Sequence, residues 1–354
     1  MKKKIIRTFV LILPILCSCN TGQLHYSLPV FDIVKPAEIE LIGEEFDYWA
    51  TDMLVDEEHI YMGAFDKLTA NTLHVFDKLD GRHLRSGVKK GRSNVETLIG
   101  YRDITKVSDS LVYHDVMEKT RMAFSITEFL EDTTFFYAEK KSKNLRMWDS
   151  YYTETPDGRD VLIRSKGYGS TDEIPLRSVT LREQGGKEFS YDLSPIDDPA
   201  KLFIMYTDPL VAISPDGSRL ALSSSVGTIF ETFDITDGVN ELSTSYMCSP
   251  DFTVVDGTYV PDDRMIMGIS DLCADDDRIY AVYDGVLTWK QSRSAVETGE
   301  VRKKNIAIFD WKGKPQILLT TDYNIEDICV DALNSVIYAC VETDSGYRLA
   351  RVTL

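Results

Sequence analysis

Carboxylates paired with aromatic rings are the side chains of this sequence best placed to do chemistry. They recur just ahead of short apolar runs: Trp49 with Asp52, Tyr101 with Asp103, Trp148 with Asp149, Tyr206 with Asp208, and Tyr323 with Asp327, while Asp271 has no ring beside it. Convergent carboxylates can hold a cation such as calcium through oxygen ligands, and ring faces can stack on sugars or apolar side chains. The plainer reading has the aspartates closing turns and the rings packing between strands. The five histidines, His25, His59, His74, His83 and His114, form no H-E-x-x-H zinc motif. No G-x-S-x-G nucleophile elbow occurs, and the glycine pairs Gly167/Gly169 and Gly185/Gly186 precede no helix that could cradle a phosphate. No catalytic residue is assigned on these grounds, and the identity of any metal is left open.

Composition narrows the partners. With 43% hydrophobic residues the chain can build a large core. Its 39 basic and 57 acidic residues give a formal charge of −18, which opposes a phosphodiester backbone and argues against nucleic acid. Four cysteines lie in the body, Cys248, Cys273, Cys329 and Cys340, without C-x-x-C spacing, so neither a zinc site nor a thioredoxin-like motif is supported. Buried thiols account for them, and a Cys329–Cys340 bridge stays open.

The first residues carry an address. Lys2, Lys3, Lys4 and Arg7 precede an apolar run from Phe9 to Leu16, far shorter than the ~20 residues of a membrane span and matched to a secretory signal. Leu16-Cys17-Ser18-Cys19 resembles the bacterial lipobox, in which an aliphatic residue at −3 and a small one at −1 precede the lipidated cysteine. Cys19 fits that position, whereas Cys17 has no small residue before it. The expected division is a signal peptide over 1–18, a lipidated tether over 19–36 and one folded body over 37–354. The protein is expected in the envelope of a Gram-negative bacterium, on the outer membrane, touching the bilayer through its lipid alone.

The body repeats. A strand, a tight turn and an aliphatic-Tyr strand recur in Asp52–Tyr61, Ile104–Tyr113, Asp271–Tyr280 and Asp327–Tyr338, and a Pro-Asp-Gly form of the turn recurs at Thr155–Leu162 and Ser214–Ala221. The turn positions Asp56, Ser108, Thr155, Ser214, Asp275 and Asp331 follow one another at roughly 50 to 60 residues, a propeller period lengthened by loops. A second kernel, Phe-Asp followed by a glycine turn, stands at Phe76-Asp77/Gly81, Phe233-Asp234/Gly238 and Phe309-Asp310/Gly313, and reads as the outer hairpin of each unit. Six four-stranded antiparallel blades result, an all-β six-bladed β-propeller closed by pairing Ala37–Gly43 with Arg348–Leu354.

These kernels and Pro-Asp-Gly turns resemble the TolB-like six-bladed propellers of Bacteroidota lipoproteins, some of them NHL-related. The resemblance implies architecture and carries no general reaction. On the face where the inner strands begin, the aromatic and carboxylate residues named above form the expected ligand site. The segment Gly285–Lys304, with Trp289, Lys290 and Arg293, inserts on that face as a specificity loop. The leading expectation is a non-catalytic binding or scaffold protein for a glycan, a peptide or an envelope protein. The competing one is a calcium-dependent hydrolase of the lactonase or esterase kind, with carboxylates at the channel mouth and calcium as the one cofactor.

Overall fold

The computed structural model describes residues 26–93, 96–97, 102–115, 120–131, 138–142, 150–166, 175–182, 187–192, 194 and 196–354, apart from 225, 257, 286, 299 and 301. The expected repeats become six antiparallel sheets in chain order. Their inner strands are Asp52–Val55, Arg102–Val107, Ser150–Glu154, Leu210–Ile213, Ile269–Ala274 and Ile325–Asp331. The second and third strands of each blade are the most apolar, as in Arg278–Tyr283 and Asn305–Asp310, because both of their faces are covered by neighbouring blades. The core is accordingly distributed between blades: Phe230 of blade four packs 4.9 Å from Phe309 of blade five.

The ring closes as expected. Glu38–Phe46 pairs antiparallel with Tyr347–Thr353, Glu38 opposite Thr353 and Leu41 opposite Ala350, and supplies the outermost strand of blade six. Its bulge at Gly43 is sterically demanding. Gly43 and Gly81 both have left-handed φ, +67° and +73°, and a Cβ on Gly43 would stand 2.2 Å from the Gly81 carbonyl. The Gly43 amide donates to the Asp80 carbonyl at 2.9 Å, tying the closing strand to the outer turn of blade one.

Two blades extend the four-stranded plan. Blades one and five have five strands: Glu96–Thr97 runs parallel to the fourth strand of blade one, and Ile33–Pro36 runs parallel to Pro315–Thr320 of blade five. Residues 33–36 therefore belong to the propeller sheet rather than to a free tether, because the open edge of blade five offers unpaired amides and carbonyls. The chain already touches the body at Ser27, whose amide donates to the Tyr246 carbonyl.

Among the described residues three short helices decorate the ring: α1 (Ile126–Glu131), α2 (Pro199–Tyr206, capped by the Asp198 carboxylate) and α3 (Trp289–Thr298). None of the helices among the described residues is long and apolar enough to cross a membrane.

Candidate functional site

At the leading ends of the inner strands the structure joins three of the expected aspartates. Register shifts between Ile269 and Asp271, and between Ile325 and Asp327, mark bulges that re-aim the side chains that follow. Asp271 then reaches across the blade boundary to accept the Ile328 amide at 2.9 Å, and Asp52 accepts the Ile104 amide of blade two at 2.5 Å. Each carboxylate staples its blade to the next.

Asp271 and Asp327 also hydrogen-bond to each other. Burial pushes Asp271 up to about 6, against the pull of the Ile328 and Leu272 amides and the Lys304 ammonium. Burial, then the charges of Asp271 and Asp52, drive Asp327 well above the usual carboxylate range. Two carboxyls in hydrogen-bond contact cannot both ionise cheaply, so the pair holds a shared proton. Lys304, only 5% exposed, is the cation that faces it.

Below this ring the inner strands enclose a cavity of about 510 Å³. All six blades line it. Its upper end carries Asp52, its waist is formed by Leu54, Val211, Ile213, Cys273 and Val330, and its rim by the exposed turn residues Glu57, Pro215 and Leu333. The cavity therefore opens where the first hairpins turn, the face opposite the one where the inner strands begin.

The rim's carboxylates are already engaged. Lys106 of blade two bonds Asp56 at 2.7 Å and Glu57 at 3.2 Å, Lys78 bonds Asp331 at 2.9 Å, and Arg121 grips Glu154 through Nε at 2.5 Å and Nη2 at 2.9 Å. Although burial opposes ionisation of Asp56, the Lys106 ammonium and the Glu58 and His59 amides hold it below its ordinary value. Bidentate arginine and short lysine contacts of this kind join blades one to six, one to two and two to three.

The remaining expected residues are scattered. Trp49 is 49% exposed with Lys67 over its ring and is not among the cavity-lining residues. Tyr206 is fully buried at the end of α2, with the Arg177 guanidinium 5.0 Å from its ring, so it packs between blades and offers no face to a ligand. Asp208 is exposed in a left-handed turn, and Tyr323 packs half-buried on the core between blades five and six. Trp289 begins α3 half-buried, its amide donating to the Met265 carbonyl, so the expected specificity loop is anchored as a helix. Asp103 lies on the inner strand of blade two. Tyr101, Trp148, Asp149 and Cys19 lie outside the described residues. Of the eight expected binding residues whose side chains are described, Asp52 alone is found among those lining the cavity.

Sequence reasoning missed Lys106, Glu154, Cys273 and Val330. The signal for them was present in the six turn residues used to count the blades, because those turns form the mouth. Among the described residues no three or more His, Cys, Asp or Glu side chains gather at a metal-holding geometry, so the residues described do not fit a calcium centre. Cys329 lies opposite Tyr338 and Cys340 opposite Asp327, and both thiols are free.

Comparison with known proteins agrees with this architecture. Residues 206–333 match the family described as TolB-like 6-blade propeller-like. No curated protein sequence matches the chain. Among solved structures, a "Putative exported protein" from Bacteroides fragilis superposes with a TM-score of 0.52 at 10% identity, covering 91% of this chain and 98% of that one. U3-55K superposes with a TM-score of 0.52 at 9% identity over 90% of this chain and 98% of its own. A gluconolactonase from Xanthomonas campestris reaches 0.49 at 13% identity, with 90% of each chain covered. Such low identities speak to fold alone. The chain is a six-bladed β-propeller whose fourth and fifth blades carry the sequence pattern of the TolB-like propellers.

Proposed function

We propose that this chain is a binding propeller of the bacterial cell envelope, anchored through a lipid on Cys19, that captures a small amphipathic group in its central cavity. The observation that carries the reading is the cavity itself. At about 510 Å³, walled by six inner strands, it falls within the roughly 300–1,000 Å³ of small-ligand sites. Its apolar waist suits an aliphatic or ring segment, and its rim, where carboxylates are paired with Lys106, Lys78 and Arg121, suits a polar head that hydrogen-bonds. The carboxylates of the wall serve the architecture: Asp56, Glu57, Glu154 and Asp331 each hold a lysine or arginine, and Asp52 holds an amide. They are walls more than bases, which favours capture of part of a glycan, peptide or envelope protein.

A hydrolytic reading rests on one feature, the Asp271–Asp327 pair beside Lys304, which could trade a proton with a lactone or ester. The two readings separate in one experiment. Thermal shifts are measured with spermidine, a Lys/Arg-rich hexapeptide and cellobiose, on the wild type and on Val330→Trp, which fills the waist. Under the binding reading one probe at 100 times its Kd stabilises the wild type by about 2.7 kcal/mol, and the variant, folded by circular dichroism, loses the shift. A shift that survives Val330→Trp, or lactone turnover abolished by Asp327→Asn, would overturn it.

A further inference from the structure

The exposed apolar side chains of this molecule are not spread evenly. Eleven large ones are exposed among the described residues, and four of them, Leu28, Val30, Ile33 and Val34, fall within seven consecutive positions, with Val30 83% and Val34 63% exposed. Two more, Val255 and Val260, share the outward face of the hairpin Phe252–Pro261. The inward face of that hairpin packs through Phe252 and Tyr259 into the same cluster as Tyr26. The apolar surface thus gathers at the periphery of blades four and five.

The first described residue, Tyr26, lies at the same place. Tyr26 rests edge-on against Tyr246 at 6.2 Å, and six residues lie between it and Cys19, a reach of on the order of 25 Å when fully extended. A lipid on Cys19 would hold this edge of the ring, and no other, within that distance of the bilayer. Each residue of the strand Ile33–Pro36 is exposed, with Lys35 and Pro36 opposing the addition of a further strand. Scattered exposed residues need no explanation, but a contiguous cluster beside an anchor point does.

We infer that the blade four–five periphery is a membrane-docking surface, in which Leu28, Val30, Ile33 and Val34 enter the lipid interface and orient the propeller edge-on. The central axis then lies along the bilayer plane and the cavity mouth faces sideways, open to soluble partners. Interfacial binding scales with the apolar area buried, and a second, weak apolar contact suits a protein already tethered by acyl chains. The inference rests on the lipid-anchored reading.

The test uses the full-length lipidated protein on vesicles of phosphatidylethanolamine and phosphatidylglycerol. An environment-sensitive fluorophore is placed at Val30→Cys, Val34→Cys or, on the cavity rim, Leu333→Cys. Docking is supported if aqueous iodide quenches positions 30 and 34 severalfold less than position 333, and only when vesicles are present. Equal quenching at all three sites overturns it, even if Cys19→Ser releases the protein and so upholds the anchor. If Cys19→Ser stays on the vesicles the anchor reading fails, and the same labels still decide docking. Protection at 30 and 34 in a soluble Cys19→Ser dimer would assign the surface to a second copy and sink the proposal.

Discussion

Asp327 costs the folded state free energy at neutral pH. It is 5% exposed, hydrogen-bonded to Asp271 and close to Asp52, with Lys304 as the cation facing the pair. Asp271 titrates near 6 in the fold against an ordinary value of 3.8. Up to about 6 the folded chain keeps on Asp271 a proton that the unfolded chain has released, and it holds the Asp327 proton further still, so stability falls as pH rises from about 4 and goes on falling above 6 until Asp327 ionises. For Asp271 alone the penalty is on the order of 3 kcal/mol. Asp327→Asn keeps the acceptor, donates an amide to Asp271 and removes one charge. Its melting temperature should exceed that of the wild type by several degrees at pH 7.5 and equal it at pH 4. Parallel wild-type and variant curves across that range would refute the shared proton.

Between strands, the seam of blades three and four is held by the most deeply buried ion pair among the described residues. Arg177 and Glu231 have side chains 1% and 0% exposed, 3.1 Å apart, with the Tyr191 hydroxyl donating to Glu231 and Arg177 Nη1 donating to the Tyr206 carbonyl. Breaking such a pair from one side strands a charge and costs about 3–5 kcal/mol, whereas neutralising both is far cheaper. Arg177→Met should lose that much stability in urea, and Arg177→Met with Glu231→Gln should recover most of it. A double variant as unstable as the single one would show that packing, not charge, holds the seam.

Strand-level patterns also explain what the sequence disclosed. The Phe-Asp-x-x-Gly hairpins and the Val-Asp and Pro-Asp-Gly turns were legible because a tight turn demands particular residues: the Asp310 carboxylate accepts the Lys312 and Lys314 amides, and Gly313 sits at φ +73°. The leading-rim aspartates Asp52, Asp271 and Asp327 were legible for the same reason, since they stand at one fixed place in the repeat. The direction in which the cavity opens was not, because it depends on how far six inner strands converge at each end. Tyr206 looked like a ligand ring and proved to be core, since an aromatic beside an aspartate has the same local signature whether its α2 helix turns it outward or inward. The strand Ile33–Pro36 lacked any partner pattern of its own, being recruited by the open edge of blade five.

For the molecule as a whole, closure is the property on which every blade depends. Blade six receives its outer strand from Glu38–Phe46, so a strand from the start of the propeller and the last strand of the chain share one sheet. Opening the sheet exposes Ile337, Ala350 and Val352, all fully buried, together with the turn of blade one that Gly43 contacts. Deleting Arg348–Leu354 removes the strand between its two partners, so the loss should spread around the ring and abolish the single cooperative melt. Gly43→Ala is the graded form of the same test. It forces a Cβ into the Gly81 carbonyl at a left-handed φ, and should cost about 2–4 kcal/mol while leaving unfolding two-state. If the truncated chain instead melts in one transition at the wild-type temperature, the blades are held by their inter-blade ion pairs and cores alone, and the terminal strand is an ornament on a ring that was already shut.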